Sequence, residues 1–216
     1  MADGSDVRFG VPLYTCAEAA RCLGVPASTF RAWTRGGRPL VSGLPAEGRG
    51  WPCVPFAGLA EGMVLSALRQ AGVPLRRVRP ALELVRARIG VDHVLASREF
   101  SVRGARLLWE AGARDLAVRR DGRYAFHPVI GRCLRRISYD ERYACRLLLP
   151  AYEVARIAVD PQINFGRPYF AHSGTPVFAV SGLLRAGETI EDVADDYGIP
   201  ADQVTEVAQR LLRAVA

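Results

Sequence analysis

Residues 14–35, YTCAEAARCLGVPASTFRAWTR, predict two short helices joined by a tight turn. Thr15 and Glu18 form a T-x-x-E capping box, which satisfies free backbone donors at the start of a helix. Gly24 can adopt the positive φ that ends this helix, and Val25-Pro26 then turns the chain. The residues with helical apolar spacing in the first helix are Cys16, Ala19, Ala20 and Leu23. This order of helix cap, apolar helix, helix end and turn predicts a helix-turn-helix.

The second of these helices has an apolar inner face and a polar outer face. The inward-facing residues are Ala27, Phe30 and Trp33 or Thr34. The residues that point outward or lie on the flanks are Ser28, Thr29, Arg31, Ala32 and Arg35. Small polar side chains with arginines suit a helix in a DNA major groove, although a plain helical hairpin in another core has the same pattern. We favour DNA binding and predict that Ser28, Thr29, Arg31 and Arg35 contact DNA.

Residues 36–55 are rich in glycine and proline and contain short apolar pieces at 40–41 and 51–54. We expect two short strands joined by a loop, which would form a wing after the helix-turn-helix. Arg38 and Arg49 would then reach the DNA backbone or the minor groove. An ordinary surface loop is the alternative that the same composition allows.

Charge is distributed unevenly along the chain. All 29 basic side chains are arginine, a bias typical of a GC-rich genome, so the preference itself says little about function. Residues 1–150 carry 24 arginines and 13 acidic residues, a net charge of +11, whereas residues 151–216 carry 5 and 9, a net charge of −4. A basic front half suits a polyanion, because neutralising phosphates releases counterions. The acidic end requires a different partner.

The segments after the wing predict a mainly helical chain with a few short strands. Helices are expected over residues 56–71 and 74–89, and the arginine-rich face of the second is either solvated or flanks the DNA. Asp121-Gly122 predicts a hairpin turn between strands at 115–120 and 123–126, and a short helix should follow from Pro128 to residue 136. Residues 137–150 are ambiguous.

The last third of the chain predicts a strand at 151–159, a boundary at Asp160-Pro161, a loop to Pro176 and three helices. Thr189 and Asp192 cap the second of these helices, and Pro200 opens the third. This pair has a helix-turn-helix shape, but its acidic residues would repel phosphate: Glu188, Glu191, Asp192, Asp195 and Asp196. A protein partner or self-association fits this part better than DNA.

Several function classes find no support in the sequence. No apolar run approaches the roughly 20 residues of a membrane helix, and no secretion signal is visible, so we expect a cytoplasmic protein. Five cysteines without a C-x-x-C pair and three scattered histidines predict reduced thiols, no metal and no cofactor. No nucleophile–base–orienter set or phosphate loop is present, so an enzyme is not expected. The run from His172 to Thr175 is interpreted as a polar loop rather than a catalytic site.

The first 90 residues resemble the MerR-type winged helix-turn-helix. The matching residues are Tyr14, Ala19-Ala20, Leu23-Gly24-Val25 and Ser28-Thr29-x-Arg31-x-Trp33. MerR regulators usually end in a long dimerising coiled-coil helix, and no comparable heptad run exists here. Cys16 and Cys22 lie inside the helix-turn-helix, so metal sensing is not carried over from that family.

The tail resembles a small helical module known as domain of unknown function four-three-three. The matching residues are Asp160-Pro161, Gly166-x-Pro168, Gly174-Thr175 and the run from Gly187 to Val193. Many relatives have arginine after the Gly-Thr pair, where this chain has Pro176. The two modules together resemble VapB-type antitoxins, whose partner is a PIN-like ribonuclease toxin. This resemblance implies a protein that binds its own promoter and blocks a nuclease.

The sequence therefore predicts an α+β protein with a winged helix-turn-helix DNA-binding domain at 1–90, a mixed connecting region at 91–150 and an acidic helical antitoxin module at 151–216. The expected partners are operator DNA, a PIN-like ribonuclease toxin and a second copy in a homodimer. Arg167 and Arg185 are candidates for binding the toxin, because a guanidinium suits carboxylates, although each could instead pair within its own module. A stand-alone MerR-like regulator with a small-molecule-sensing middle region is the alternative function.

Overall fold

The computed structural model describes residues 6–37, 39–72, 74–120 and 123–215, with only the backbone described for Arg120 and for residues 213–215. It confirms a mainly α-helical α+β fold with short antiparallel strands. The chain divides into two compact units, Met1–Cys145 and Arg146–Ala216. No helix in these described ranges is long and apolar enough to cross a bilayer. The functional division at residues 90 and 150 stays a prediction.

The first unit contains seven helices in its described part: α1 Val7–Gly10, α2 Cys16–Leu23, α3 Ala27–Trp33, α4 Phe56–Gln70, α5 Leu75–Ile89, α6 Arg98–Glu110 and α7 Pro128–Leu134. A 3-10 turn, Val94–Ala96, lies between α5 and α6. Strands β1 Ala117–Arg120 and β2 Arg123–Phe126 pair antiparallel, with Ala117 opposite Phe126. The turn predicted at Asp121-Gly122 lies outside the described residues. Residues 137–148 form strands β3 Ile137–Tyr139 and β4 Ala144–Leu148, and the unit boundary falls within β4.

Helix α4 is the centre of the first unit. Every residue from Phe56 to Leu68 is buried, and the helix packs against α1, α2, α7 and the 3-10 turn. Glycine also allows α3 to approach this helix closely: a Cβ atom added at Gly62 would lie 2.6 Å from the Phe30 ring. Since α3 carries Phe30, the helix-turn-helix is seated directly on this core.

The predicted wing is wrong. The described residues between α3 and α4 form no two-stranded hairpin, and Val54 makes only an isolated antiparallel bridge with Tyr14. The backbone N–H groups of Leu40 and Val41 donate to the carbonyl of Trp33, at 2.9 and 3.2 Å, instead of pairing with a second strand. Burial of both side chains then fixes the segment as an irregular loop against the helix-turn-helix.

The second unit begins with the end of β4, to which β5 Ile157–Val159 pairs antiparallel, with Leu147 opposite Val159. Strand β6 Tyr169–Phe170 pairs with β5, and three helices follow: α8 Val177–Ala186, α9 Ile190–Tyr197 and α10 Ala201–Val215. The strand predicted for residues 151–159 is too long, because only Ile157–Val159 forms a strand and residues 151–156 form a turn, bends and irregular backbone.

A single carboxylate explains why the chain bends before β5. Glu206 on α10 accepts hydrogen bonds from the backbone N–H groups of Glu153, Val154 and Ala155, at 3.1, 3.1 and 2.8 Å. Backbone donors that a strand ladder would have used are thereby bound to a helix 50 residues further along. The sequence pattern of the segment itself does not contain this information.

Candidate nucleic-acid interface

The helix-turn-helix has the caps that the sequence predicts. The Thr15 hydroxyl accepts from the Glu18 N–H at 3.1 Å, and the Glu18 carboxylate accepts from the Thr15 N–H at 2.8 Å. Gly24 ends α2 with φ 67° and ψ 33°, and the N–H of Val25 donates to the carbonyl of Ala20 at 3.0 Å. These local bonds fix the angle at which α3 leaves the turn.

The inner face of α3 is anchored by two aromatic rings. Phe30 and Trp33 are 0 and 2 % exposed, and their ring centroids lie 5.8 Å apart. Burial of two large rings stabilises the helix by several kcal/mol, of the order of 1.5–3 for each ring. The opposite face is therefore held in place by a rigid support.

The outer face of α3 is open. Ser28, Arg31 and Ala32 are exposed, Thr29 is half-buried, and Arg35 is exposed just after the helix. The guanidinium groups of Arg31 and Arg35 form no hydrogen bond or ion pair with the residues that the structure describes. Two guanidinium groups beside small side chains can approach a phosphate backbone and base edges without steric obstruction.

A groove next to α3 extends this surface onto two further helices. Its volume is about 670 Å³, and it is lined by Thr29, Ala32, Trp33, Leu40, Arg69, Gly72, Pro74, Leu75 and Arg79. The end of α4 and the start of α5 thus contribute arginines beside the helix that carries Arg31. Arg69 and Arg79 were not among the residues predicted to bind DNA. The arginine-rich face of α5 includes Arg79, whereas Arg69 lies on α4, where no sequence pattern indicated a DNA contact.

The two arginines assigned to the wing are placed differently. Arg49 is exposed in an irregular turn in which the Trp51 N–H donates to the Gly48 carbonyl at 3.2 Å. Arg38 lies outside the described residues. Without a hairpin, the wing geometry that motivated these two assignments is lost.

One buried cluster in this unit contains a serine, a histidine and a carboxylate, but it has the geometry of a structural anchor. Glu61, 1 % exposed, accepts from the Ser42 N–H at 2.6 Å. The Ser42 hydroxyl and the second Glu61 oxygen both face Nδ1 of His93, at 2.8 and 3.5 Å. A catalytic triad uses opposite ring nitrogens for its acid and its nucleophile. The cluster instead attaches the loop after α3 to α4.

The cysteines are all free thiols, and each residue is partly exposed. Burial raises the pKa of Cys22 and of Cys133 to about 12. Cys16 and Cys53 approach each other with their sulfur atoms 3.7 Å apart. Among the described residues, no three histidine, cysteine or carboxylate side chains are grouped so that they could hold a metal ion.

The second unit carries the two arginines predicted to contact a protein. Arg167 is exposed in the loop before β6, and its guanidinium carbon lies 5.7 Å from the ring centroid of Phe178. Arg185 is exposed in the last turn of α8. Neither arginine makes an ion pair within the described ranges. The structure therefore shows no carboxylate of the same module with which either one pairs, as the alternative interpretation of these arginines requires.

Comparisons with known proteins match both units. A family model described as "Putative DNA-binding HTH domain" matches residues 12–82, and one described as "Protein of unknown function (DUF433)" matches residues 157–209. The uncharacterized protein Rv2308 of Mycobacterium tuberculosis is 27 % identical, and the alignment covers 94 % of each chain.

A closer similarity extends across nearly the whole chain. The crystal structure of Rv2018 from M. tuberculosis superposes with a TM-score of 0.85 at 39 % identity, covering 93 % of this chain and 99 % of that one. The protein described as "Putative antitoxin VapB45" from the same organism is also 39 % identical, over 93 % of this chain and 94 % of its own length. The chain therefore belongs to the VapB antitoxin family, with a DNA-binding helix-turn-helix domain and a DUF433 domain in one polypeptide.

Proposed function

We propose that this protein is an antitoxin that represses its own operon through the first unit and neutralises a PIN-like ribonuclease toxin through the second. The observation that carries the proposal is the 39 % identity to a VapB-type relative across both units, combined with the open arginine face of α3. The division of charge supports it, since residues 1–150 carry +11 and residues 151–216 carry −4.

The DNA-binding part uses α3 in the MerR manner, with its outer face in the major groove. Ser28, Thr29 and Arg31 reach base edges, and Arg35 binds phosphate beside them. Arg69 and Arg79, which line the adjoining groove, add phosphate contacts. One short recognition helix reads only a few base pairs, so the protein binds a two-fold operator as a homodimer.

The toxin-binding part is the second unit, where Arg167 and Arg185 bind carboxylates of the nuclease. Neither guanidinium has an acidic partner among the residues that the structure describes, so both are available for bidentate pairing with another protein. The acidic face of α9 keeps this unit away from DNA, which separates the two activities.

Co-expression with the product of the adjacent reading frame tests both halves. Full-length protein should restore the growth of cells that express this product. It should also retard a fragment of its own upstream DNA in an electrophoretic mobility-shift assay at low salt. Residues 1–150 alone should keep DNA affinity and lose rescue. Rescue by residues 1–150 would contradict the assignment of the second unit, and the absence of any shift by full-length protein would contradict the first.

A further inference from the structure

The second unit exposes an aromatic side chain in a strained loop. Phe165 is 88 % exposed, although phenylalanine is usually buried in a folded domain. It lies in a 3-10 turn, Asn164–Gly166, whose three residues all have positive φ: 49°, 53° and 73°. Phe165 carries a bulky side chain, so the left-handed backbone costs free energy at this residue, whereas asparagine adopts it more readily.

The loop is held in this conformation by hydrogen bonds. The Gly166 N–H donates to the Ile163 carbonyl at 3.0 Å, and the Arg167 N–H donates to the Asn164 carbonyl at 3.0 Å. The Asn164 side chain donates to the Gly174 carbonyl at 3.3 Å. None of these bonds involves the Phe165 ring. The surroundings therefore maintain the strain while leaving the ring in solvent, a combination that is typical of binding loops.

Phe165 belongs to a larger surface, which we define as the aromatic patch: Ile163, Phe165, Arg167, Phe178, Gly182 and Arg185. Ile163 and Phe178 are 39 and 57 % exposed. Phe178, Gly182 and Arg185 are spaced i, i+4 and i+7 on α8, so they share its outer face. The loop and the helix are joined by the contact of Arg167 with Phe178 and by a 2.9 Å hydrogen bond from the Val177 N–H to the Pro168 carbonyl.

The charge of the aromatic patch is opposite to that of its unit. Its two ionisable members are both arginines, whereas residues 151–216 as a whole carry −4. Aromatic residues, phenylalanine included, and arginine are enriched in protein–protein interfaces, and arginine is also frequent among the residues that dominate binding energy. An occupant that complements the patch has an apolar pocket for the Phe165 ring and carboxylates at its rim.

We infer that the aromatic patch is the surface by which the second unit binds its protein partner, with Phe165 as the anchor that enters an apolar pocket. Arg167 and Arg185 pair with acidic side chains around that pocket. The inference rests on the proposed function for the existence of the partner, and it adds the residue that contributes most of the affinity. The strain is retained because it pre-organises the ring and lowers the conformational cost of binding.

The test measures binding of full-length protein to the purified product of the adjacent reading frame by calorimetry. Phe165→Ala should weaken binding about 30-fold or more, as expected for a buried aromatic anchor. Phe165→Gly should weaken it equally and should leave the thermal midpoint unchanged or higher, because glycine tolerates positive φ. Val154→Ala, an exposed apolar residue of the same unit, is the matched control and should bind like the wild type.

The outcomes separate the two proposals. If wild-type protein does not bind the neighbouring product, the proposed function fails and this inference fails with it. If wild-type protein binds and both Phe165 variants bind equally well, only the aromatic patch is overturned. If Phe165→Ala instead converts a dimer into a monomer by light scattering while binding is unchanged, the patch is a contact between copies of this chain and the inference is wrong.

Discussion

The two units contain the same local helix–turn motif, but the side chains on its outer faces differ in charge. Residues 15–27, TCAEAARCLGVPA, and residues 189–201, TIEDVADDYGIPA, share a threonine cap, an acidic residue three positions later, an inner alanine, a glycine and a final proline-alanine. The glycines have almost the same backbone: φ 67° and ψ 33° at Gly24, and φ 60° and ψ 37° at Gly198. In both turns the next residue donates its N–H to the inner alanine's carbonyl, at 3.0 and 2.9 Å.

The difference lies in the outer faces of the motifs. The position of Arg21 in α2 is occupied by Asp195 in α9, and that of Arg31 in α3 by Thr205 in α10. Ala32, which leaves the face of α3 open, corresponds to Glu206, whose carboxylate binds backbone donors of its own unit. Caps and turn residues thus specify the backbone, whereas exposed side chains decide what the second helix contacts.

Replacing both arginines of the open face should have the largest effect. Arg31→Ala with Arg35→Ala should weaken operator binding by about 1–3 kcal/mol per residue, because base and phosphate contacts are lost together. Fluorescence anisotropy at several salt concentrations measures this, and each phosphate contact that is lost should reduce the salt slope by about one. Arg185→Ala, on the other unit, is the matched control. An unchanged affinity in the double variant would show that α3 does not read DNA.

Filling the space between α3 and α4 should have the next largest effect. Gly62→Ala places a Cβ atom 2.6 Å from the Phe30 ring, so it should destabilise the first unit by about 1–3 kcal/mol through overpacking. The three tryptophans, Trp33, Trp51 and Trp109, all lie in this unit, and their fluorescence therefore reports its denaturant unfolding. Gly182→Ala has open space around the new Cβ and should not lower the tryptophan midpoint. A wild-type midpoint for Gly62→Ala would show that the contact can relax.

The shared glycines allow a direct comparison of the two turns. Gly24→Ala and Gly198→Ala should each cost about 1 kcal/mol, because both force a Cβ atom into the left-handed region. Gly24→Ala should lower the denaturant midpoint that is measured by tryptophan fluorescence. Gly198→Ala should lower only the protection of α9 and α10 amides in hydrogen exchange. If Gly198→Ala had no effect on those amides, the second motif would not depend on its turn.

Acid should weaken the first unit by the smallest amount. Hydrogen bonds from Arg8 lower the pKa of Asp6. Burial raises the pKa of Asp140, but hydrogen bonds from the N–H groups of Tyr143 and Arg142 and from Arg8 outweigh it, so this pKa is lowered as well. A depressed carboxyl pKa contributes stability that is present above the ordinary value of 3.8 and lost as pH falls through the folded pKa. Below about pH 4, the melting temperature of the first unit, followed by tryptophan fluorescence, should therefore fall by a few degrees. Arg8→Ala should reduce that drop, and an equal drop in this variant would exclude the cluster as its cause.

The sequence predicts these elements well where the signals are local. The caps at Thr15 and Thr189, the turn at Gly24 and the outer face of α3 depend on residues within four or five positions of each other, and the structure has each of them. The wing was wrong because Leu40 and Val41 bond to Trp33, and the strand at 151–159 was too long because Glu206 binds its donors. Such partners lie far away in the sequence or on another element.

The candidate sites differ in the same way. The exposure of Arg31 on α3 could be predicted, since helical periodicity determines which side of a helix is exposed. Phe165 could not, because an aromatic residue in a loop has no periodic pattern that distinguishes a buried ring from a solvated one.

The all-round burial of α4 has a consequence for how this architecture can be inherited. Its outer side is covered by α7 and by the turn at Val94–Ala96, with the Cys133 thiol donating to the Met63 carbonyl at 3.5 Å. These covering elements lie beyond residue 82, where the matched DNA-binding family ends. A gene fragment that encodes residues 12–82 would produce a helix-turn-helix whose central helix exposes apolar side chains on one side. We expect such a product to aggregate or to be degraded. Recombination can therefore transfer this helix-turn-helix domain to another protein only together with a segment that packs against the apolar side of α4.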